Sequence, residues 1–403
     1  LMTSTFSYEG LFSKKSVETD PPRPRHAKYD FAVAYPPPET VPFEGLIEGL
    51  KKGFEREGQD LVYYTDRRGN DKLRELAAEK LNVDRGIKVT PDEVVITHGS
   101  GESNFVLINA LVDPGDTVLT EQYVYAGTLN QFYTAGANVV GVQLDEVGMI
   151  PEALEETLKD LADRGIKPKV LYTIPEFQNP TGGTQPTARR REILDICHRH
   201  AIPILEDDCY VDLRFDGETQ ESYRAMDDSG LVSHVASFSK LLVPGLRLGY
   251  FVAPRELRNR TFGFRSSNTA NHFASLAVEG YLSGHLQEHK ENLANILREK
   301  RNAMVSALGE NFGGVGATWS EPVGGCYVWL TMPEGTRMDE LQETAFESGV
   351  GYIPGVNFAP NGDGQNCARL CFAYESPQKN REGVALLADI LAKNGQMKAA
   401  PAG

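Results

Sequence analysis

Apolar positions in the middle of the chain come in short runs bounded by turn residues. Between these runs they return every three or four positions instead. Glu93 to Thr97, Thr117 to Thr120, Asn138 to Val142, Val170 to Ile174, Ile202 to Leu205, the run through Val235-Ala236 and Gly249 to Val252 read as strands. Asp71 to Leu81 places Leu73, Leu76, Ala77 and Leu81 on one helical face, and Glu102 to Val112 turns Phe105, Ile108 and Val112 inward. A further helix, for which Thr187 offers an N-cap, groups Ile193, Ile196, Cys197 and His200, the last as a helix-end residue. Strands and helices alternating at this length predict an α/β fold with a mostly parallel sheet covered on both faces.

The texture changes near residue 280. A long helix over roughly 286 to 308 carries Leu293, Ile296, Leu297, Met304 and Leu308 on one side. Short strands at Cys326 to Leu330 and Cys367 to Phe372 and a closing helix at Glu382 to Lys393 make a smaller α+β unit. Residues 1 to 45 read as an irregular arm, because Pro21-Pro22-Arg23-Pro24 and Pro36-Pro37-Pro38 force extended backbone. The expected division is a large domain over 61–280 and a small domain over 281–403, with 1–60 supplying an arm and part of the small domain. A chain of 403 residues exceeds one ordinary core, which agrees with two domains.

A net charge of −15 argues against nucleic acid or an anionic membrane as partner, although local Arg and Lys still decide whether a phosphate binds. Five cysteines without C-x-x-C spacing, mostly among apolar neighbours, read as reduced thiols of a cytoplasmic protein. Leu1-Met2-Thr3-Ser4 has no apolar segment behind it, and no run of eighteen apolar residues occurs, so neither a targeting signal nor a membrane span is expected.

Candidate chemistry concentrates in Ser237-Phe238-Ser239-Lys240, followed by Arg247 beyond the Pro244-Gly245 turn. A strand ending near Ala236 delivers Lys240 to the carboxyl edge of the sheet, where open α/β sheets bind ligands. An amine can hold a carbonyl covalently, while hydroxyls and a guanidinium suit an attached phosphate. His98-Gly99-Ser100-Gly101 opens a helix with unpaired amides, a second anion site that matches no nucleotide motif. Glu206-Asp207-Asp208 sets three carboxylates at a strand end, which repel unless one meets a cation. Arg369 lies on a strand face with Cys367 and Cys371 and needs an anion, either a ligand or an internal carboxylate.

These residues together resemble the class I/II, fold-type I aminotransferases that use pyridoxal 5′-phosphate (PLP). The resemblance runs from Tyr64, before the turn at Gly69, through Gly99-Ser100, Tyr125, Asn179-Pro180-Thr181-Gly182, Asp207 with Tyr210, and Ser237 to Lys240 with Arg247, to Arg369. The branch it is most similar to holds the 2-aminoadipate aminotransferases and the catalytic domains of MocR-type regulators. The resemblance implies that Lys240 forms the Schiff base and shuttles the α-proton, Asp207 pairs with the pyridinium nitrogen, and Asn179 and Tyr210 bond the phenolic oxygen. Tyr125 would stack on the ring. Ser237, Ser239, Arg247 and the amides of Ser100 and Gly101 would hold the phosphate, joined by Tyr64 from the second subunit of a homodimer. Arg369, beside Asn179, would grip the substrate α-carboxylate.

Two positions depart from the family's pattern. The arm reads Phe31-Ala32-Val33-Ala34-Tyr35 where relatives often carry a Gly-Gly pair, and Glu102 stands where many have glutamine. Glu102 at a helix start reads either as a plain cap favoured by the dipole or, beside a phosphate, as a carboxylate that must turn away or meet a cation, with Arg67 and Arg68 as candidates, and that faces the substrate. The function implied is transfer of the amino group of an L-amino acid to a 2-oxo acid. Elimination or replacement, decarboxylation or condensation at the same site is the alternative. A PLP-binding sensor domain is a third reading, and the acidic chain speaks against it.

Overall fold

The computed structural model describes residues 6–13, 25–265 and 269–397, so the proline run expected to extend residues 21–24 lies outside them. Its centre is a seven-stranded sheet. From one edge to the other the strands are Val94–Thr97, Gly249–Val252, Val232–Ser237, Ile204–Asp207, Leu171–Thr173, Thr117–Glu121 and Asn138–Val142. Gly249–Val252 runs antiparallel to both of its neighbours, and the other pairs are parallel. The parallel strands therefore all end on one edge.

Side chains alternate between the two faces of this sheet. Ile204, Val232, Leu171 and Leu119 pack with Leu154, Leu158, Ile193 and Cys197 from the helices Pro151–Asp163 and Thr187–His200. Their neighbours Leu205, Val235 and Tyr172 join the opposite core, with Val106, Leu107 and Ile108 of the helix Ser100–Leu111. Two details differ from the sequence pattern. Phe105 is 39% exposed, because the helix Ser100–Leu111 turns Ser103, Asn104, Leu107 and Ile108 inward. Thr187 does not cap its helix; its amide and hydroxyl both donate to Gln220 Oε1, at 2.8 and 3.0 Å, which satisfies the helix start from outside.

A second, antiparallel sheet is built from Thr318–Trp319, Tyr327–Thr331, Cys367–Cys371 and Ile353–Pro354. Tyr29–Asp30 of the arm pairs in parallel with Val350–Gly351, and Cys371 N donates to Phe31 O, so the arm is bound to this unit. The arm ends earlier than the prolines suggest, in a helix over Phe43–Glu57. The long helix extends over His272–Phe312, so residue 280 lies inside one continuous 41-residue element. Among the described residues, no helix is long and apolar enough to cross a membrane.

Candidate active site

The carboxyl edge of the large sheet gathers the polar residues singled out above. Glu206, Asp207 and Asp208 end the strand Ile204–Asp207, and alternation sends the outer two away from the middle one. Glu206 sits opposite His234 in the register and accepts from its Nδ1 at 3.1 Å, from Ser222 Oγ at 2.7 Å and from Tyr223 N at 2.9 Å. Burial raises the Glu206 pKa, but these donors outweigh it and hold the group at about 2. Asp208 accepts from Arg85 Nε at 2.8 Å. Asp207 accepts from Asn104 Nδ2 at 2.9 Å and Tyr172 OH at 2.7 Å on Oδ2 alone. Its Oδ1 is buried and has no hydrogen-bond partner. Asp208 Oδ1 is likewise buried without a hydrogen-bond partner, but Asp208 and Glu206 each have a basic side chain beside them, Arg85 and His234, whereas Asp207 has none among the described residues.

Asn179 and Tyr210 stand beyond Asp207. Asn179 Nδ2 donates to Tyr210 OH at 3.0 Å, and Tyr327 OH lies 3.3 Å from the same oxygen. Burial pushes the Tyr210 hydroxyl well above its ordinary pKa, so it remains protonated. The other end of Asn179, Oδ1, accepts from Arg369 Nη1 at 3.2 Å. Arg369 is 4% exposed, lies over the Tyr327 ring at 4.3 Å, and donates through Nη2 to the carbonyls of Ala32 and Val33 at 2.8 and 3.2 Å. No carboxylate pairs with it among the described residues, so the internal ion pair weighed for it is not what answers its charge.

Lys240 follows the strand Val232–Ser237, and its Nζ donates to Ala34 O. Burial, with Arg369 nearby, lowers its pKa and favours the neutral, nucleophilic amine. Beside it, Ser237 Oγ accepts from Ser239 N at 3.1 Å. Arg247 adopts a left-handed backbone at φ 49°, a conformation a non-glycine residue keeps only when its surroundings require it. Its guanidinium covers Gly99, where a β-carbon would lie 3.2 Å from Nη2. A β-carbon on Gly249 would lie 2.6 Å from Ser100 N, so glycine there lets the strand run against the helix start. The first-turn amides of Ser100 and Gly101 have no intrahelical acceptor and carry the positive end of the helix dipole. Ser100, Gly101, Ser237, Ser239 and Arg247 thus gather amides, hydroxyls and a guanidinium of the kind an anion cradle requires.

Tyr125 is 41% exposed and heads the helix Ala126–Thr134. Tyr64 is 90% exposed, and no described contact brings it to the cradle of its own chain. Glu102 stands at the helix start and meets a cation, but not one of the two arginines expected to supply it. Its Oε2 accepts from His98 N at 2.7 Å, and its carboxylate meets Arg265 at 3.3 Å. Arg67 instead donates to Phe262 O, and Arg68 pairs with Asp66 and Asp92. With both oxygens held this way, Glu102 has no support as a substrate group.

The sequence reading missed Asn104, Tyr172 and Tyr327, and the arm carbonyls at 32 to 34. Asn104 carried a signal, a polar residue one helical turn from Ile108 on the buried face. The open Asp207 oxygen, the lysine amine and the anion cradle fit a ring nitrogen, an aldehyde and a phosphate. Fold and site together define a fold-type I PLP enzyme.

Comparison with known proteins narrows the class. Residues 34–387 match the family model for aminotransferase class I and II. The chain is 32% identical over 402 residues to the aromatic-amino-acid aminotransferase 1 of Thermococcus litoralis, covering 97% of this chain and 96% of that protein. It is 32% identical over 368 residues to the 2-aminoadipate transaminase of Thermus thermophilus, covering 90% and 89%. The crystal structure of Pyrococcus horikoshii kynurenine aminotransferase, solved in complex with PMP, superposes with a TM-score of 0.90 at 31% identity, over 96% of this chain and 98% of that one. The chain belongs to the class I and II aminotransferase family. It is a PLP-dependent aminotransferase that moves the amino group of an amino acid to a 2-oxo acid.

Proposed function

We propose that Lys240 is the residue that holds the cofactor and then carries the proton to and from the substrate α-carbon. The observation that carries this reading is Asp207, a buried carboxylate with an unpartnered Oδ1 and no basic side chain paired to it among the described residues, at the same sheet edge as Lys240 and the anion cradle. Bound there, PLP supplies an electron sink that takes up and returns an amino group. Asp207 keeps the ring nitrogen protonated, with Asn104 and Tyr172 fixing its other oxygen. Asn179 and Tyr210 would hold the cofactor's phenolic oxygen, and Tyr125 would pack on its ring. Ser237, Ser239, Arg247 and the amides of Ser100 and Gly101 hold the phosphate. Arg369 takes the substrate α-carboxylate, for which the arm carbonyls must give way.

The active unit in this reading is a homodimer in which Tyr64 completes the partner's phosphate site. Its support is exposure: Tyr64 stands out with Tyr63, at 73%, and Val62, at 79%, beyond the helix end that carries the exposed Phe54, whose ring packs on the exposed Phe273 at 4.9 Å. The division into a large PLP-binding unit and a smaller unit that carries Arg369 and the arm belongs to the same reading. So does a cytoplasmic location, supported by five free cysteines. The relatives named above make aromatic amino acids, 2-aminoadipate and kynurenine the first donors to test. Mixing the PLP-loaded protein with each donor, without acceptor, should deplete the lysine-bound cofactor absorbance and release one equivalent of PMP and oxo acid. A panel in which no donor yields PMP, with Lys240 intact, would overturn the reading.

A further inference from the structure

Glu102 and Arg265 form a buried strut between two places that the proposed chemistry keeps apart. The Arg265 side chain is fully buried. Its Nε and Nη2 face the two Glu102 oxygens at 3.3 and 3.4 Å, its Nη2 also donates to Ile96 O at 3.0 Å, and its Nη1 donates to Arg67 O at 2.6 Å. At one end, Glu102 occupies the first turn of the helix whose opening amides belong to the anion cradle. At the other, Arg67 lies three residues after Tyr64.

The loop around Arg67 is held on every side. Thr65 Oγ1 donates to Thr269 Oγ1 at 2.9 Å, Arg67 Nη2 to Phe262 O at 2.9 Å, and Ile96 N to Arg68 O at 2.8 Å. The loop therefore has a fixed base beneath an exposed Tyr64. A carboxylate in the first turn of an anion-binding helix is a liability, because like charges repel there. Arg265 both neutralises it and ties it to the loop. Resting on the reading that Tyr64 serves the partner subunit, we propose that Glu102 and Arg265 are positioning residues that couple the two phosphate sites of the dimer. Phosphate bound at one helix start repels Glu102 towards Arg265 and tightens the strut. The tightened strut sets the angle at which Tyr64 is presented to the other site.

The test uses hybrid dimers purified by two different tags. One chain carries Lys240→Ala, so that only its partner can fix PLP to a lysine by borohydride reduction. The fixed cofactor is counted across a PLP titration. Adding Glu102→Gln to the Lys240→Ala chain alters only the Tyr64 loop that serves the intact site. PLP affinity at the intact site should then fall about 5-fold or more. Arg265→Lys in the same chain keeps the charge but loses the fork to Arg67 O, and should weaken the intact site comparably. Thermal melting of each hybrid close to that of the Lys240→Ala hybrid identifies variants that remain folded. Unchanged affinity with both folded variants overturns the coupling. Tyr64→Phe in the Lys240→Ala chain separates this result from a failure of the dimer reading. If it too leaves the intact site unchanged, while Tyr64→Phe in the Lys240 chain weakens it, Tyr64 acts within its own chain and the coupling falls with it.

Discussion

The amine of Lys240 donates to the backbone carbonyl of Ala34. The two preceding carbonyls, of Val33 and Ala32, accept from Arg369. Three consecutive arm residues thus answer the lysine amine and the arginine of the proposed site with neutral acceptors, which satisfies their N–H groups without cancelling the arginine's charge. A substrate carboxylate offers Arg369 a charged acceptor in place of these carbonyls, and charge-assisted bonds are the stronger ones. The stretch Ala32 to Ala34 therefore meets the proposed site through its backbone, not its side chains.

Lys240→Ala should lower turnover by about 10³-fold or more. Borohydride should then fix no cofactor to the chain, while the melting temperature stays close to that of the parent. Full multiple-turnover activity in this variant would remove Lys240 from the chemistry.

Asp207→Asn and Asp208→Asn should fail in different ways. Asp207→Asn keeps its neighbours Asn104 and Tyr172 but can no longer hold a ring nitrogen protonated, so kcat should drop about 100-fold with stability little changed. Asp208→Asn leaves the buried Arg85 guanidinium only Glu176, at 3.7 Å, a carboxylate it shares with Arg190 and Arg214, and should cost about 3 kcal/mol of stability. Denaturant unfolding and steady-state kinetics on both variants separate the two effects, and equal kinetic losses would contradict the assignment.

Arg369→Lys should raise the amino-acid KM about 10-fold or more, because a point charge replaces a planar fork. It should leave PLP affinity nearly unchanged, since the hydrogen bond of Arg369 towards the cofactor side goes to Asn179 and a lysine keeps the positive charge there. Titration of PLP beside substrate kinetics checks the split.

Glu121 supplies a pH signature. It accepts from Thr173, Ile174 and Gln178, yet burial pushes its carboxyl up to about 7 from an ordinary value of 4.5. The folded state therefore binds this proton more tightly than the unfolded chain. The resulting stability is fully present below about 4.5 and is lost as the pH rises towards 7. Glu121→Gln cannot ionise. The melting temperature of the parent, relative to this variant, should fall between those pH values and stay level above them. A constant difference across the range would place the Glu121 pKa elsewhere.

Short-range pattern was enough for the elements that deliver the chemistry. Apolar runs ending in Asp207, Ser237 and Thr97 read directly as strands whose carboxyl ends share one edge, because side-chain alternation and βα spacing are local properties. The motifs around Lys240, Asn179 and Arg247 were legible for the same reason, with their roles supplied by the family resemblance. Partnership was not legible. That Glu206 goes to His234 and Asp208 to Arg85, leaving Asp207 without a basic partner, depends on strand register and on a helix 123 residues away. The cation for Glu102 is Arg265, 163 residues on, although Arg67 and Arg68 were the nearer candidates in sequence. The arm carbonyls reach Arg369 across 337 residues. Backbone acceptors carry no side-chain signature, and a buried charge takes whichever partner the packing brings within reach. Sequence alone therefore determined which residues stand at the sheet edge; the tertiary structure decided which of their charges and polar atoms are already answered and which remain open for a ligand.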